Sequence, residues 1–307
     1  MKPFHIFLAI CVACIWGLAY VATKIALGSF SPPQLTALRF LIACAPVLLL
    51  PRPNVPFHML VAIGLTMFTG QFLLQFFGIA NGMPPGLASV VSQTQGMFTV
   101  MLAMLVLKER PTPRQLIGMI SGLLGLAMIG MTVGNGLTIL GLLLVLASAL
   151  SWSIGNVLLK RLPPVDMLHL VVWMSLVPPL PALAISGMTE GLGALPMALM
   201  TAPWQAIVSA LYLGVVATVL AYAIWGKLLR TYTAAAVTPF ALLAPCVGAL
   251  SSALVFGEKF TNLRLAGMAA ILVGLAIVVV PFDKLSVLWT PKLPKSKESD
   301  AEVPKLS

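Results

Sequence analysis

LTILGLLLVLASALSWSIGNVLL, residues 137–159, holds no charged side chain and closes on Lys160-Arg161. A helix rises about 1.5 Å per residue, so about twenty apolar residues match a hydrocarbon layer of about 30 Å. In lipid every peptide group needs an internal partner, which leaves helices or a closed barrel. Barrel strands alternate polarity over about ten residues, and this stretch does not alternate; it reads as a membrane helix. Its closing segment with the lysine, WSIGNVLLK (152–160), sits over WGLAYVATK at 16–24.

The same solvent argument covers the rest of the chain. Of 307 residues, 60% are apolar and 8% charged, with a mean hydropathy of +1.04. A water-solvated surface needs about 25% charged residues, so lipid is the main solvent here. Cutting at polar, Gly and Pro clusters such as Ser31-Pro32-Pro33, Pro51-Arg52-Pro53, Met83-Pro84-Pro85-Gly86 and Pro111-Thr112-Pro113 gives ten spans. They run 4–27, 33–50, 58–81, 85–107, 114–132, 137–159, 167–187, 204–229, 234–256 and 263–282. The first, Phe4 to Ala22 behind Lys2, is longer than a secretory leader's apolar core, and Lys24 stands where a small-residue cleavage site would. It is expected to stay as a helix.

A cytoplasmic N-terminus assigns to the inside Lys2, Arg52, Lys108, Arg110, Arg114, Lys160, Arg161, Lys227, Arg230 and the five lysines from Lys284 onward. Only Lys24, Arg39, Lys259 and Arg264 fall outside. By the positive-inside rule both termini are cytoplasmic. The tail, 289–307, is rich in Pro, Lys, Ser and Glu and is expected to be disordered.

Glu109-Arg110 with Gly118 and Gly125 sits over Glu258-Lys259 with Gly267 and Gly274, extending the match begun by the two tryptophan segments. The halves 4–132 and 137–282 are therefore expected to be repeats of five spans each. An odd number of crossings turns the second copy upside down, an architecture of secondary transporters whose substrate sites lie at the repeat interface.

Other classes fit poorly. The net charge of +10 is spread singly and in pairs at span ends, without the basic stripe a nucleic-acid face requires. Cys11, Cys14, Cys44 and Cys246 lie inside apolar runs and form no metal-spaced set with His5, His58 and His169. No H-E-x-x-H, Walker A or convincing nucleophile–base arrangement is present, so no catalysis, metal or cofactor is expected. No Asp or Glu lies mid-span: Glu109, Asp166, Glu190, Glu258 and Asp283 all fall at ends or in loops. A proton relay or cation site built on a membrane carboxylate is disfavoured.

The segments Trp16-Gly17, Gly82-Met83-Pro84, Gly86-Leu87-Ala88-Ser89, Gln93-Thr94-Gln95, Phe98-Thr99, Glu109-Arg110, Ala217-Thr218, Tyr222, Ile224-Trp225-Gly226, Ala236-Val237-Thr238-Pro239, Pro245 and Gly257-Glu258-Lys259 occur in this order. In this, residues 8–282 resemble the EamA-type transporters of the drug/metabolite transporter superfamily, and within them the exporter of cysteine and O-acetylserine. The resemblance implies a ten-helix, two-repeat carrier with a central cavity in the inner membrane, exporting amino acids or related metabolites by alternating access.

Polar side chains on helical faces are the candidates for lining such a cavity. Gln71 and Gln75 are spaced i,i+4; Thr218, Tyr222 and Trp225 fall at i,i+4,i+7; Trp152 and Asn156 are i,i+4. Gln93 and Gln95 point to nearly opposite sides. Amides, hydroxyls and ring edges solvate an amphoteric molecule well, although each stripe also serves as glue between helices. Arg39, read as lying toward the outer end of its span, could attract a carboxylate there or snorkel to headgroups. Pro239 and Pro245 interrupt the ninth span as a kink or a gating hinge. Gly118, Gly122 and Gly125, with Ala270 and Gly274, are close-packing faces for repeat packing or a dimer contact, so the chain is a monomer or homodimer. The expected partners are a small polar metabolite and the bilayer. Exporters of aromatic amino acids or toxic cations, and a membrane receptor or scaffold that does not translocate, are the rival readings.

Overall fold

In a computed structural model that describes residues 1–106, 108 and 110–280, helices form where the apolar runs lie and stop where Pro and Gly cluster. Glu109, Asp283 and the tail 289–307 lie outside the described residues. Nine helices among these residues are long and apolar enough to cross a membrane: α1 Pro3–Ala26, α3 Phe57–Ala80, α4 Pro85–Val106, α5 Pro113–Gly130, α6 Ile139–Leu159, α7 Met167–Glu190, α8 Trp204–Thr231, α9 Thr238–Phe256 and α10 Asn262–Val279. A shorter apolar helix, α2 Pro32–Leu48, is the tenth. Among the described residues the fold is all-helical, and the chain is multi-pass.

Local chemistry explains the starts. Ser31 before α2 and Thr112 before α5 each form a capping box, with Gln34 and Gln115 respectively, and proline occupies the first helical turn of both. The Asp166 carboxylate accepts from the Leu168 and His169 amides at 2.9 and 3.3 Å, and Thr261 accepts from Arg264 N at 3.3 Å. At the start of α4, Glu258 Oε1 accepts the Gly86 N–H at 3.2 Å and the Ser252 hydroxyl at 2.5 Å, so a carboxylate beyond the end of α9 faces the positive pole of α4.

The packing repeats itself when the halves are exchanged. α1 lies against α8 and α9, and its counterpart α6 lies against α3 and α4; α2 meets α7, α4 meets α9 and α5 meets α10. α3 and α8 each carry a π-helical segment at the corresponding place, Gly64–Gly70 and Tyr212–Leu220. In each, a threonine hydroxyl donates to a carbonyl five residues earlier: Thr69 to Gly64 at 3.3 Å and Thr218 to Leu213 at 2.8 Å. Such π segments recur at functional positions in membrane and soluble helices.

The α5–α10 contact is made backbone to backbone. A β-carbon on Gly118 would stand 2.6 Å from the Gly274 carbonyl oxygen, and one on Gly125 would stand 2.5 Å from that of Gly267. Ser121 adds a hydroxyl bond to Ala270 O at 2.9 Å. The glycine faces therefore serve the contact between the halves.

The ends of the bundle also agree on sides. His5 Nδ1 lies 2.7 Å from the Tyr232 hydroxyl, and Arg230 pairs with Asp166, so the N-terminus, the end of α8 and the start of α7 share one side. Gln34 donates to Glu190 at 2.7 Å, joining the start of α2 to the end of α7 on the other.

Candidate functional site

Arg39 lies eight residues into α2, with only 4% of its surface exposed. Sequence alone places it toward an outer end; its side chain instead turns inward, because neighbouring helices offer it aromatic and hydroxyl surfaces. Its guanidinium carbon stands 3.9 Å over the Phe72 ring centroid and 5.7 Å from that of Phe40, and Nε donates to Thr218 Oγ1 at 3.1 Å. Among the described residues it has no carboxylate partner.

The other groups around it come from four helices. From α1, one turn apart, come Trp16 and Tyr20, and the Tyr20 hydroxyl is close to the Ser92 and Gln75 side chains. Gln75 of α3 stands 3.5 Å from Ser92 Oγ of α4. Gln71 is buried one turn before Gln75, and its Oε1 has no hydrogen-bond partner. From α8, Tyr222 packs 5.5 Å from Trp16 and 6.3 Å from Phe68, while Trp225 packs 5.1 Å from Trp16. Trp16 Nε1 donates to Ala217 O at 3.2 Å, which ties α1 to the π segment that presents Thr218. Phe40, Phe68, Phe72 and Phe76 form a ladder behind, with ring centroids 4.9 to 5.8 Å apart between successive contacts. The product is a positive charge walled by aromatic faces and uncharged polar groups, in the middle of the bundle.

Thus Arg39, Gln75, Thr218, Tyr222 and Trp225 lie in one neighbourhood, with Gln71 on the same stripe of α3. Trp152 of α6 packs against the same apolar cluster as Tyr222. Gln93 and Gln95, both half-buried, sit where α4 breaks: the helix runs Pro85–Val91, turns at Ser92-Gln93, and resumes at Thr94–Val106. The Gln95 carbonyl accepts the Ser153 hydroxyl of α6 at 2.8 Å. Asn156 stands apart: its amide donates to Thr99 at 3.4 Å, beside a cavity of ≈ 70 Å³ bordered by Thr99, Arg110, Gln115 and Lys160 at the lysine end of α6. Pro239 falls in a 3-10 turn, Thr238–Leu242, and Pro245 near the start of the regular part of α9.

Tyr20, Phe72 and Ser92 were not among the sequence candidates. Tyr20 carried a usable signal, the i,i+4 spacing from Trp16 that singled out Gln71 and Gln75. Phe72 carried none, since phenylalanine in a membrane helix is commonplace until a cation lies on its ring.

The sequence pattern of the EamA-like transporter family matches this chain twice, over residues 3–131 and 139–280. The chain belongs to the EamA-like transporter family. Within that family, it is 40% identical over 283 residues to a probable amino-acid metabolite efflux pump of Salmonella typhimurium, covering 90% of this chain and 95% of that protein. A protein of the same description from Escherichia coli K12 is 37% identical over 279 residues, with 89% and 93% covered. A solved structure overlays with a TM-score of 0.60 at 18% identity, covering 93% of this chain and 99% of the other, which speaks to the fold alone. As an EamA-like transporter, the protein is a membrane carrier, and the buried group around Arg39 is its strongest candidate for a substrate site.

Proposed function

We propose that this transporter exports amino acids and related metabolites of the cysteine and O-acetylserine class from the cytoplasm, by alternating access around the Arg39 neighbourhood. What carries the reading is the group of Tyr20, Gln75, Ser92, Thr218 and Tyr222 around a buried cation, a lining that solvates an amphoteric solute. The names borne by the two enteric relatives support it. The repeats 4–132 and 137–282 are the bodies that move, and the irregular stretch at Pro239 and Pro245 is the flexing element. A wall containing Trp16, Phe72, Tyr222 and Trp225 also suits aromatic amino acids, which form the second reading. Toxic cations are disfavoured, because Arg39 repels them.

The carrier itself offers no mid-membrane carboxylate to bind and release a proton, so exchange needs only repacking of the two repeats around an occupied site. Counterflow of labelled cysteine or O-acetylserine in proteoliposomes is expected to persist after the pH gradient and membrane potential are collapsed. Binding without counterflow for every member of a panel that includes aromatic amino acids would convert the protein from carrier to receptor.

The orientation follows the distribution of Lys and Arg, with both termini in the cytoplasm and Glu190 outside. A single cysteine introduced by Glu190→Cys in a chain freed of its native cysteines should react with an impermeant reagent in intact cells, and Arg114→Cys should not. The reverse pattern overturns the orientation.

A further inference from the structure

Two arginines are buried in this bundle, and they are satisfied in different ways. Arg264 of α10 is 5% exposed, and its guanidinium is spent on protein: Nε donates to Thr132 Oγ1 at 3.0 Å, and Nη2 to the carbonyls of Thr132 and Asn135 beyond the end of α5. A cation there lies at the negative pole of a helix and has a structural task. Arg39 has the same burial, but of its five N–H donors only Nε–H meets a protein acceptor among the described residues. Neither Nη atom is among the buried side-chain atoms that are sealed off without a partner.

An unpaired guanidinium inside a membrane protein is costly, and such residues mark substrate or ion pathways. Phe72 offsets part of the cost by lying face-on at 3.9 Å, yet a ring supplies neither negative charge nor acceptors for the four Nη hydrogens. The planar fork these hydrogens form is the shape that two carboxylate oxygens complete.

We propose that Arg39 is the carboxylate-binding residue of the carrier and that the transported class is therefore defined by a free carboxylate. The inference rests on the transport reading above and adds its selectivity rule. Acids are taken, whereas their esters, amides and decarboxylated amines are refused, because each of these leaves the fork unfilled and brings a net positive charge against Arg39.

The test uses the purified full chain in proteoliposomes and detergent, with L-cysteine, O-acetyl-L-serine and L-phenylalanine as acids, and their methyl esters and the corresponding amines as matched probes. For any acid that counterflows, the ester and amine are expected to compete at least about 30-fold more weakly in the wild type. Arg39→Gln should lose acid transport by a similar factor and bring acid and ester within about threefold of one another, while Arg39→Lys keeps part of the preference. Thermal stabilisation of the wild type by acid and not by ester, read in detergent, tests the same preference without any variant. Equal competition by acid and ester in the wild type overturns the anchor and leaves export standing. Acid-selective stabilisation without counterflow sustains the anchor and overturns export. No stabilisation and no counterflow by any probe overturns both.

Discussion

Gly274→Leu is expected to remove folded protein from the membrane. A β-carbon at this position stands 2.4 Å from the Gly118 carbonyl oxygen and 2.9 Å from Gly122 N, and both of these atoms belong to backbone that cannot step aside as a flexible side chain can. Separating α5 from α10 enough to admit a leucine would undo the neighbouring approach of Gly125 to Gly267 and the Ser121–Ala270 bond. Overpacking a well-filled contact costs about 1–3 kcal/mol where side chains can yield, and more where they cannot. Without a hydrophobic drive between helices in lipid, close approach of this kind is a main source of association energy. Gly130→Leu serves as the control, since nothing lies within 4 Å of a β-carbon there. Size-exclusion profiles of a fluorescently tagged full chain should show a monodisperse peak for the control and aggregate or no protein for Gly274→Leu. A normal peak for Gly274→Leu would mean that the helices do not meet as described.

The fold was legible in the sequence because its determinants are local. Apolar length and Pro/Gly punctuation are read along the chain, so the ten expected spans lie within a few residues of the observed helices; the sixth, expected over 137–159, is Ile139–Leu159. Capping at Ser31, Thr112 and Asp166 leaves the same kind of trace. The site was legible only in part, since what makes it a site is the meeting of helices distant in sequence. Gln75, Thr218, Tyr222 and Trp225 were visible as polar or aromatic stripes, but a stripe states a direction around one helix and not what it faces. The depth of Arg39 was hidden for that reason: its surroundings are Phe72 and Thr218, 33 and 179 residues away in the chain. The π segments were also hidden, because hydropathy does not register a carbonyl whose partner lies five residues on. Asn156 shows the converse error of scale. Its spacing from Trp152 is right for one face, yet a full turn along the helix carries it to Thr99 and the lysine end.

Thr218→Asp is expected to abolish transport while making the protein more resistant to heat. The Thr218 hydroxyl oxygen is 3.1 Å from Arg39 Nε, so a carboxylate on the same β-carbon falls within reach of the guanidinium. Arg39 already bears the cost of burial without an anionic partner. Removing one member of a buried ion pair costs about 3–5 kcal/mol, chiefly through the charge left uncompensated, and adding the missing member recovers part of that. Against it stand desolvation of the new carboxylate and loss of the hydroxyl bond to Leu213 O at 2.8 Å, about 1 kcal/mol for a neutral bond. A net gain of about 1–2 kcal/mol is expected. Transport moves the other way. A tethered carboxylate competes as an intramolecular ligand, at an effective concentration in the millimolar range or above that no free substrate displaces during a cycle. A loss of about 100-fold or more follows for every carboxylate substrate. Thr218→Asn has the same shape without the charge; it loses the same hydroxyl bond and should transport within about tenfold of the wild type. Paired measurement of melting temperature and counterflow in the two variants separates charge from shape. If Thr218→Asp transports as well as Thr218→Asn, the guanidinium of Arg39 is not where the substrate places its negative charge.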